Sequence, residues 1–307
     1  SNKHWLMHTL APAEGLIGNV GGDFTFDIMR GERVPGEAEV SIEAGIEAIV
    51  PIFGTAEKQM ISAKTETVDD CIWLNPATPN FFRLDENTKF TSSEDFVVGT
   101  PIRLEHGPAR KKLVVNILVD ALPWQVLRTL FAEHMPETAR FFARGTIFDQ
   151  HFSVLEYTYP SLPTIETGMY PHHTGVFSEW AAIELDKDII TIAERARDMG
   201  YSTASLMGDG IGIYNGVTRG YDRLIVSPYR TFAYEGVERT IRYLEGCGEA
   251  DHFIFLHMND VHPWSGELFQ ISSSAQMQLS LAGRLSASKG RVPSPYLRPS
   301  AFYHAAF

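Results

Sequence analysis

The chain has 307 residues, 44% apolar and 21% charged, the balance of a globular protein with room for two ordinary domains or one large domain and an appendage. A formal net charge of −12 excludes nucleic acid as the main partner, because phosphate backbones are gripped by clusters of Lys and Arg. Cys71 and Cys247 are too few for a disulfide framework and wrongly spaced for a zinc knuckle, and no stretch approaches the roughly 20 apolar residues of a membrane helix.

The N-terminal stretch carries Lys3, His4 and His8 and no long apolar run, so no signal peptide is read there and the cytoplasm is the default location. Residues 1–110 read as a β-rich domain. Ala38, Val40, Ile42 and Ala44 alternate with Glu39, Ser41 and Glu43, the period of a half-buried strand. A short apolar run over 48–53 ends at Gly54, and Gly21-Gly22 and Pro35-Gly36 are turn signals suited to a sandwich or meander. The histidines here, His4, His8 and His106, are scattered and read as surface residues.

Residues 111–264 change texture and alternate strand with helix. Leu113–Val119 is a near-continuous apolar run, as a parallel strand buried on both faces should be. Val126, Leu127, Leu130 and Phe131 follow at helical spacing, and Pro136 suits the first turn of a helix that Gly145 would close. Asp188 is placed to cap a helix over 189–199, with Gly200 after it. A strand over 201–207, a helix over about 232–245 and a strand over 253–258 complete a βαβ rhythm, which predicts a parallel sheet with helices on both faces. Residues 265–307 hold nine serines and four Lys or Arg against Glu267 as their one acidic residue, and read as a disordered or loosely docked tail.

In parallel α/β sheets functional groups collect beyond the carboxyl ends of the strands. Asp120, Asp209 and Asp260 all fall at that predicted edge, where carboxylates on a rigid rim suit a hard divalent cation. Thr158 opens a short helix that ends at Gly168. A hydroxyl there sits in the positive field of the helix N-terminus and, beside a metal, could attack phosphorus or sulfur. The plainer reading is that Thr158 merely caps the helix.

The run Thr158-Tyr-Pro-Ser-Leu-Pro-Thr-Ile-Glu-Thr-Gly168-Met-Tyr170-Pro171-His172-His173-Thr-Gly175 resembles the signature of the sulfatases of the alkaline phosphatase superfamily. It is also similar to the Thr-bearing segment of nucleotide phosphodiesterases. Asn116–Asp120 resembles the family's first metal-binding strand, Gly220-Tyr221-Asp222 its Gly-Phe-Asp, and Phe255–Pro263 its strand ending in Asp-x-His-x-Pro. The resemblance covers about 112–264. It implies an alkaline-phosphatase-like parallel sheet flanked by helices, incomplete here, and a metal-dependent hydrolase of a small-molecule or glycan sulfate or phosphate ester. Thr158 and His262 would be catalytic, and His172, His173 and Asp209 would contact substrate. Asp120, Thr158 and Asp260 would hold the metal, with calcium suiting an oxygen site and zinc a site with His ligands.

The departures narrow this. Sulfatases carry Cys or Ser at the nucleophile position, oxidised to an aldehyde that the β-methyl of Thr158 does not permit. The cation that follows Pro-Ser is replaced by Leu162, and the sulfate-holding Lys and His by Asp209 and Ile211. Nothing after Pro263 resembles the late Asp-His or Asp-Asn pair that completes the metal site. The alternative expectation is therefore an inactive or truncated member, with an ordinary core that ends in an unrelated tail after Trp264.

Overall fold

The structure, a computed structural model, describes residues 3–10, 25–43, 45–75, 79–122, 124–128, 131–178, 183–207, 215–226, 233–259, 277 and 280–282. The N-terminal part is built of β1 (Lys3–Leu10), β2 (Thr25–Val34), β3 (Glu37–Val40), β4 (Glu47–Gly54), β5 (Met60–Lys64), β6 (Asp69–Trp73), β7 (Asn80–Leu84), β8 (Thr88–Thr91), β9 (Phe96–Gly99) and β10 (Ile102–Leu104). Strands β3, β8, β5 and β6 form a separate antiparallel sheet. Its inward side chains Val40, Ile61 and Phe90 meet Val50, Ile52 and Phe96 from β4 and β9 in one buried cluster. Two β layers thus face each other across this cluster, and of the two turn signals Pro35-Gly36 leads into β3 while Gly21-Gly22 lies outside the described residues. Ile42 packs against that cluster beyond the end of β3, while Ala44 lies outside the described residues.

The rest alternates β11 (Leu113–Val119), α1 (Trp124–Leu127), α2 (Phe131–His134), α3 (Pro136–Phe142), α4 (Thr158–Thr167), α5 (Pro171–Thr174), α6 (Ile192–Asp198), β12 (Ser202–Met207), β13 (Arg223–Val226), α7 (Ala233–Gly246) and β14 (His252–Met258). β13, β12, β14 and β11 run parallel in that order. The sheet is nonetheless mixed, because β2 pairs antiparallel with β13 through 26–29 and with β9 through 31–34. The fold is thus α/β with a large mixed sheet flanked by helices and a second antiparallel sheet, rather than a purely parallel sheet.

Several local expectations are corrected. Leu113, Val115 and Ile117 are exposed while Val114, Asn116 and Leu118 are half-buried, so among the described residues one face of β11 is covered and not both. The cap of α6 is Thr191 and not Asp188: Thr191 Oγ1 accepts from the Glu194 N–H, and the Glu194 carboxylate accepts from the Thr191 N–H in return. Asp251 and His252, which lead into β14, are buried. The Asp251 carboxylate receives His106 Nδ1 at 2.6 Å, the Gly107 N–H at 2.8 Å and Arg110 Nε at 2.7 Å, which fastens the start of β14 to the 106–110 turn. The tail expected at 265–307 lies outside the described residues apart from 277 and 280–282.

A buried ion pair holds β2 against β13. Arg223 donates through Nε to Asp27 Oδ1 at 3.1 Å and through Nη2 to Oδ2 at 2.7 Å, with the Asp27 side chain 2% exposed. Removing one partner strands the other charge, so Asp27→Ala should lower unfolding stability by roughly 3–5 kcal/mol. An Asp27→Leu, Arg223→Met double variant should recover most of that loss in a chemical-denaturation series. A loss in the double variant as large as in the single one would show that packing and not charge sets the cost.

Candidate active site

The site begins where two parallel strands end level. The Asp120 N–H, just past β11, donates to the Met258 carbonyl on β14 at 2.8 Å. The chain then turns out of the sheet at Ala121, whose φ of +57° lies in the left-handed region. That conformation costs a non-glycine residue about 1–2 kcal/mol, and the strain falls beside the Asp120 carboxylate.

Thr158 opens α4, and the extended residue before it, Tyr157, makes no side-chain capping bond. The Thr158 hydroxyl donates to Asp120 Oδ2 at 2.7 Å. The capping reading of Thr158 therefore gives way: its hydroxyl leaves its own helix and joins a carboxylate on a neighbouring strand. A third element reaches the same atom, with His257 Nε2 of β14 3.1 Å from Asp120 Oδ2. The His257 side chain is fully buried, and its Nδ1 has no hydrogen-bond partner among the described residues. The ring proton accordingly sits on Nε2 and is donated to the carboxylate. Asp120 is 17% exposed and Thr158 half-buried. Asn259, next after β14, is buried with neither amide atom hydrogen-bonded among the described residues.

The helix bearing Thr158 is held by side chains from later in the chain. Pro163 has no N–H to give the Tyr159 carbonyl, and Asn215 Nδ2 donates to that carbonyl at 2.7 Å instead. Three residues on, the Tyr221 hydroxyl donates to Glu166 Oε1 at 2.7 Å inside the core. Tyr221 follows a 3-10 turn, Val217–Gly220, that lies hard against α6. A Cβ on Gly220 would fall 2.1 Å from the Glu194 nitrogen, so only glycine fits. Burial pushes the Glu166 carboxyl up to about 7, against the opposing pull of the Tyr221 bond.

The other expected site residues are spread less tightly. His172 and His173 are exposed on α5, with ring centroids 4.0 Å apart and His172 stacked on Tyr170. Asp209, Asp260 and His262 lie outside the described residues. Among the described residues no cluster of three or more His, Cys, Asp or Glu could hold a metal ion.

A sequence model of the family described as Sulfatase matches residues 112–278, more than half of the chain. The chain belongs to the sulfatase family. The match runs past Trp264, beyond the point where the motif resemblance fades. No curated protein matches the chain. A solved structure described as the plu4264 protein from Photorhabdus luminescens is similar at 17% identity over 30% of this chain and 68% of that one. Its TM-score of 0.15 carries no argument.

Within this sulfatase-family core the sequence reading missed His257, Asn215 and Glu166. His257 is hidden in an apolar run, where alternation gives no hint of a polar contact. A proline inside a helix does announce that some donor must replace its N–H, although not which one.

Because the Glu166 carboxyl is raised above its ordinary value near 4.5, its neutral form favours folding. That contribution is complete below about pH 4.5 and is lost as pH rises through about 7, on the order of 3 kcal/mol in all. Glu166→Gln should flatten this part of the stability–pH profile, measured by denaturant midpoints across the range. An unchanged slope would locate the titration elsewhere.

Proposed function

We propose that this sulfatase-family chain is a hydrolase of sulfate or phosphate esters in which Thr158 is the nucleophile and Asp120 takes up its proton. The observation that carries the reading is the 2.7 Å bond from the Thr158 hydroxyl to Asp120 Oδ2. As Thr158 Oγ1 bonds to sulfur or phosphorus, the bond to the leaving alcohol oxygen breaks and its electron pair departs with that oxygen. The hydroxyl proton passes to Asp120, and water then hydrolyses the Thr158 ester. His257 keeps Asp120 Oδ2 aimed at Thr158 throughout, because its own ring is fixed in the buried β14 strand. A threonine works here directly as a hydroxyl, without the oxidation that sulfatases with Cys or Ser undergo.

Asp120, Thr158 and the buried Asn259 amide are hard oxygen donors of the kind a divalent cation takes, and Asp260 is a further carboxylate in the same chain segment. They fit calcium better than zinc, which would draw on an imidazole such as His262. A cation held there would favour the ionised hydroxyl and offset the charge of the ester. Asp209, His172, His173 and His262 are proposed as contacts for the remainder of a small-molecule or glycan ester.

The test is turnover of an aryl sulfate and an aryl phosphodiester by the purified chain, with calcium or zinc added in turn. Thr158→Ala should lower kcat by roughly 10³-fold or more, the scale of losing a nucleophile, while Thr158→Ser retains turnover. Activity that survives Thr158→Ala would remove Thr158 from the mechanism. A wild type inert towards both esters with both cations would favour the inactive member of the family.

A further inference from the structure

Thr158 is set against Asp120 by the first turn of α4, and that turn lacks one main-chain bond. In a regular helix each carbonyl accepts from the N–H four residues on. Pro163 has no N–H for the Tyr159 carbonyl, and its ring crowds that oxygen away from the helix. The defect falls one residue from Thr158, in a helix of ten residues. Tyr159 is buried, so its carbonyl takes a donor from elsewhere in the fold.

Asn215, in the connection from β12 to β13, is such a donor and is itself held on three sides. It is fully buried. Its Nδ2 donates to the Tyr159 carbonyl at 2.7 Å, and its Oδ1 accepts from the Val217 N–H at 3.3 Å. Its own carbonyl accepts from the Leu185 N–H at 2.8 Å. Because the Val217 N–H takes the amide oxygen, the NH2 end is the one turned toward α4. Gly216, between the two, has a left-handed φ of +80°, and a Cβ there would lie 3.3 Å from the Leu185 nitrogen. Val217 and Leu185 share one buried cluster with Leu162 of α4, so donor and helix are braced against the same core.

We propose that Asn215 is a positioning residue for Thr158. By standing in for the Pro163 N–H it sets the first turn of α4, and with it the approach of the Thr158 hydroxyl to Asp120. The two carbonyls that flank Thr158 are then each fixed by a side chain. Ser161 Oγ holds that of Tyr157 at 2.8 Å from within the helix, and Asn215 holds that of Tyr159 from outside it. The catalytic consequence rests on Thr158 being the nucleophile, whereas the alignment itself does not. A bond that only supports the fold would be worth the same whether or not residue 158 carries a hydroxyl. A bond that aligns the hydroxyl is coupled to it.

A urea-denaturation cycle on the full chain, read by its midpoints, tests that coupling without any substrate. Thr158→Val removes the hydroxyl and keeps the branched shape. Its effect on the midpoint should shrink by roughly half or more once Asn215→Ala is present, since contacts in one network are not additive. Adding Pro163→Ala, which returns an N–H to the helix, should restore the full effect. On whichever aryl ester the wild type turns over, Asn215→Ala should lower kcat by about 10–100-fold, the scale of a misplacement on the order of 1 Å. KM should stay unchanged, and Pro163→Ala should recover most of the loss. Asn215→Ser, which keeps a hydroxyl but falls short of α4, serves in the same cycle if Asn215→Ala does not fold. Additive midpoints overturn the proposal, and so does a coupling that Pro163→Ala fails to restore. An active enzyme whose kcat is untouched by Asn215→Ala overturns it as well. A wild type inert towards both esters would remove the nucleophile reading, and the denaturation cycle would still decide the positioning role.

Discussion

One carboxylate oxygen, Oδ2 of Asp120, accepts a hydrogen bond from a hydroxyl on a helix and another from an imidazole buried in the neighbouring strand. The arrangement constrains three elements at once. β11 must end level with β14, α4 must begin over the sheet edge, and the chain must leave β11 sharply enough for Asp120 to stand clear. The left-handed Ala121 meets the last demand at a cost in backbone energy. An ionised carboxylate can accept both bonds, and each fixes its rotamer against the other, so the Thr158 oxygen is held in place.

The supports around this junction come from distant parts of the chain. Asn215 supplies the donor that Pro163 withholds, Tyr221 reaches into the core to Glu166, and both lie on either side of the turn that packs against α6. The N-terminal strands join the same sheet through β2 and the buried Asp27–Arg223 pair, so the β-rich segment contacts the α/β strands by main-chain hydrogen bonds as well as by side chains. Fixed backbone and buried side chains hold the junction from below, which keeps the Thr158 hydroxyl aligned with Asp120.

What the sequence made legible follows from how local the signals are. The bounds of β11 and the start and end of α4 agree with the apolar run and with the Gly168 stop, whose φ of +70° is a left-handed helix end. Asp120 and Thr158 could be singled out because strand ends and helix starts are marked in sequence. Their mutual contact could not, since it joins residues far apart in the chain. Thr191 displaced Asp188 as a cap because a Glu three residues on completes a reciprocal pair that Asp188 lacks. The burial of Asp251 carries no local signal, because its partners, His106 and Arg110, lie on the far side of the α/β segment in sequence.

The central claim is that the Thr158 oxygen bonds to the group being transferred. Its most direct test is to quench the chain during turnover of a slow aryl sulfate or phosphodiester and to map the modified peptide by mass spectrometry. The account predicts one added sulfuryl or phosphoryl group on Thr158, absent in Thr158→Ala. A group found on Ser161 or on a histidine, or turnover with no adduct at Thr158 under conditions that trap the intermediate, would contradict it.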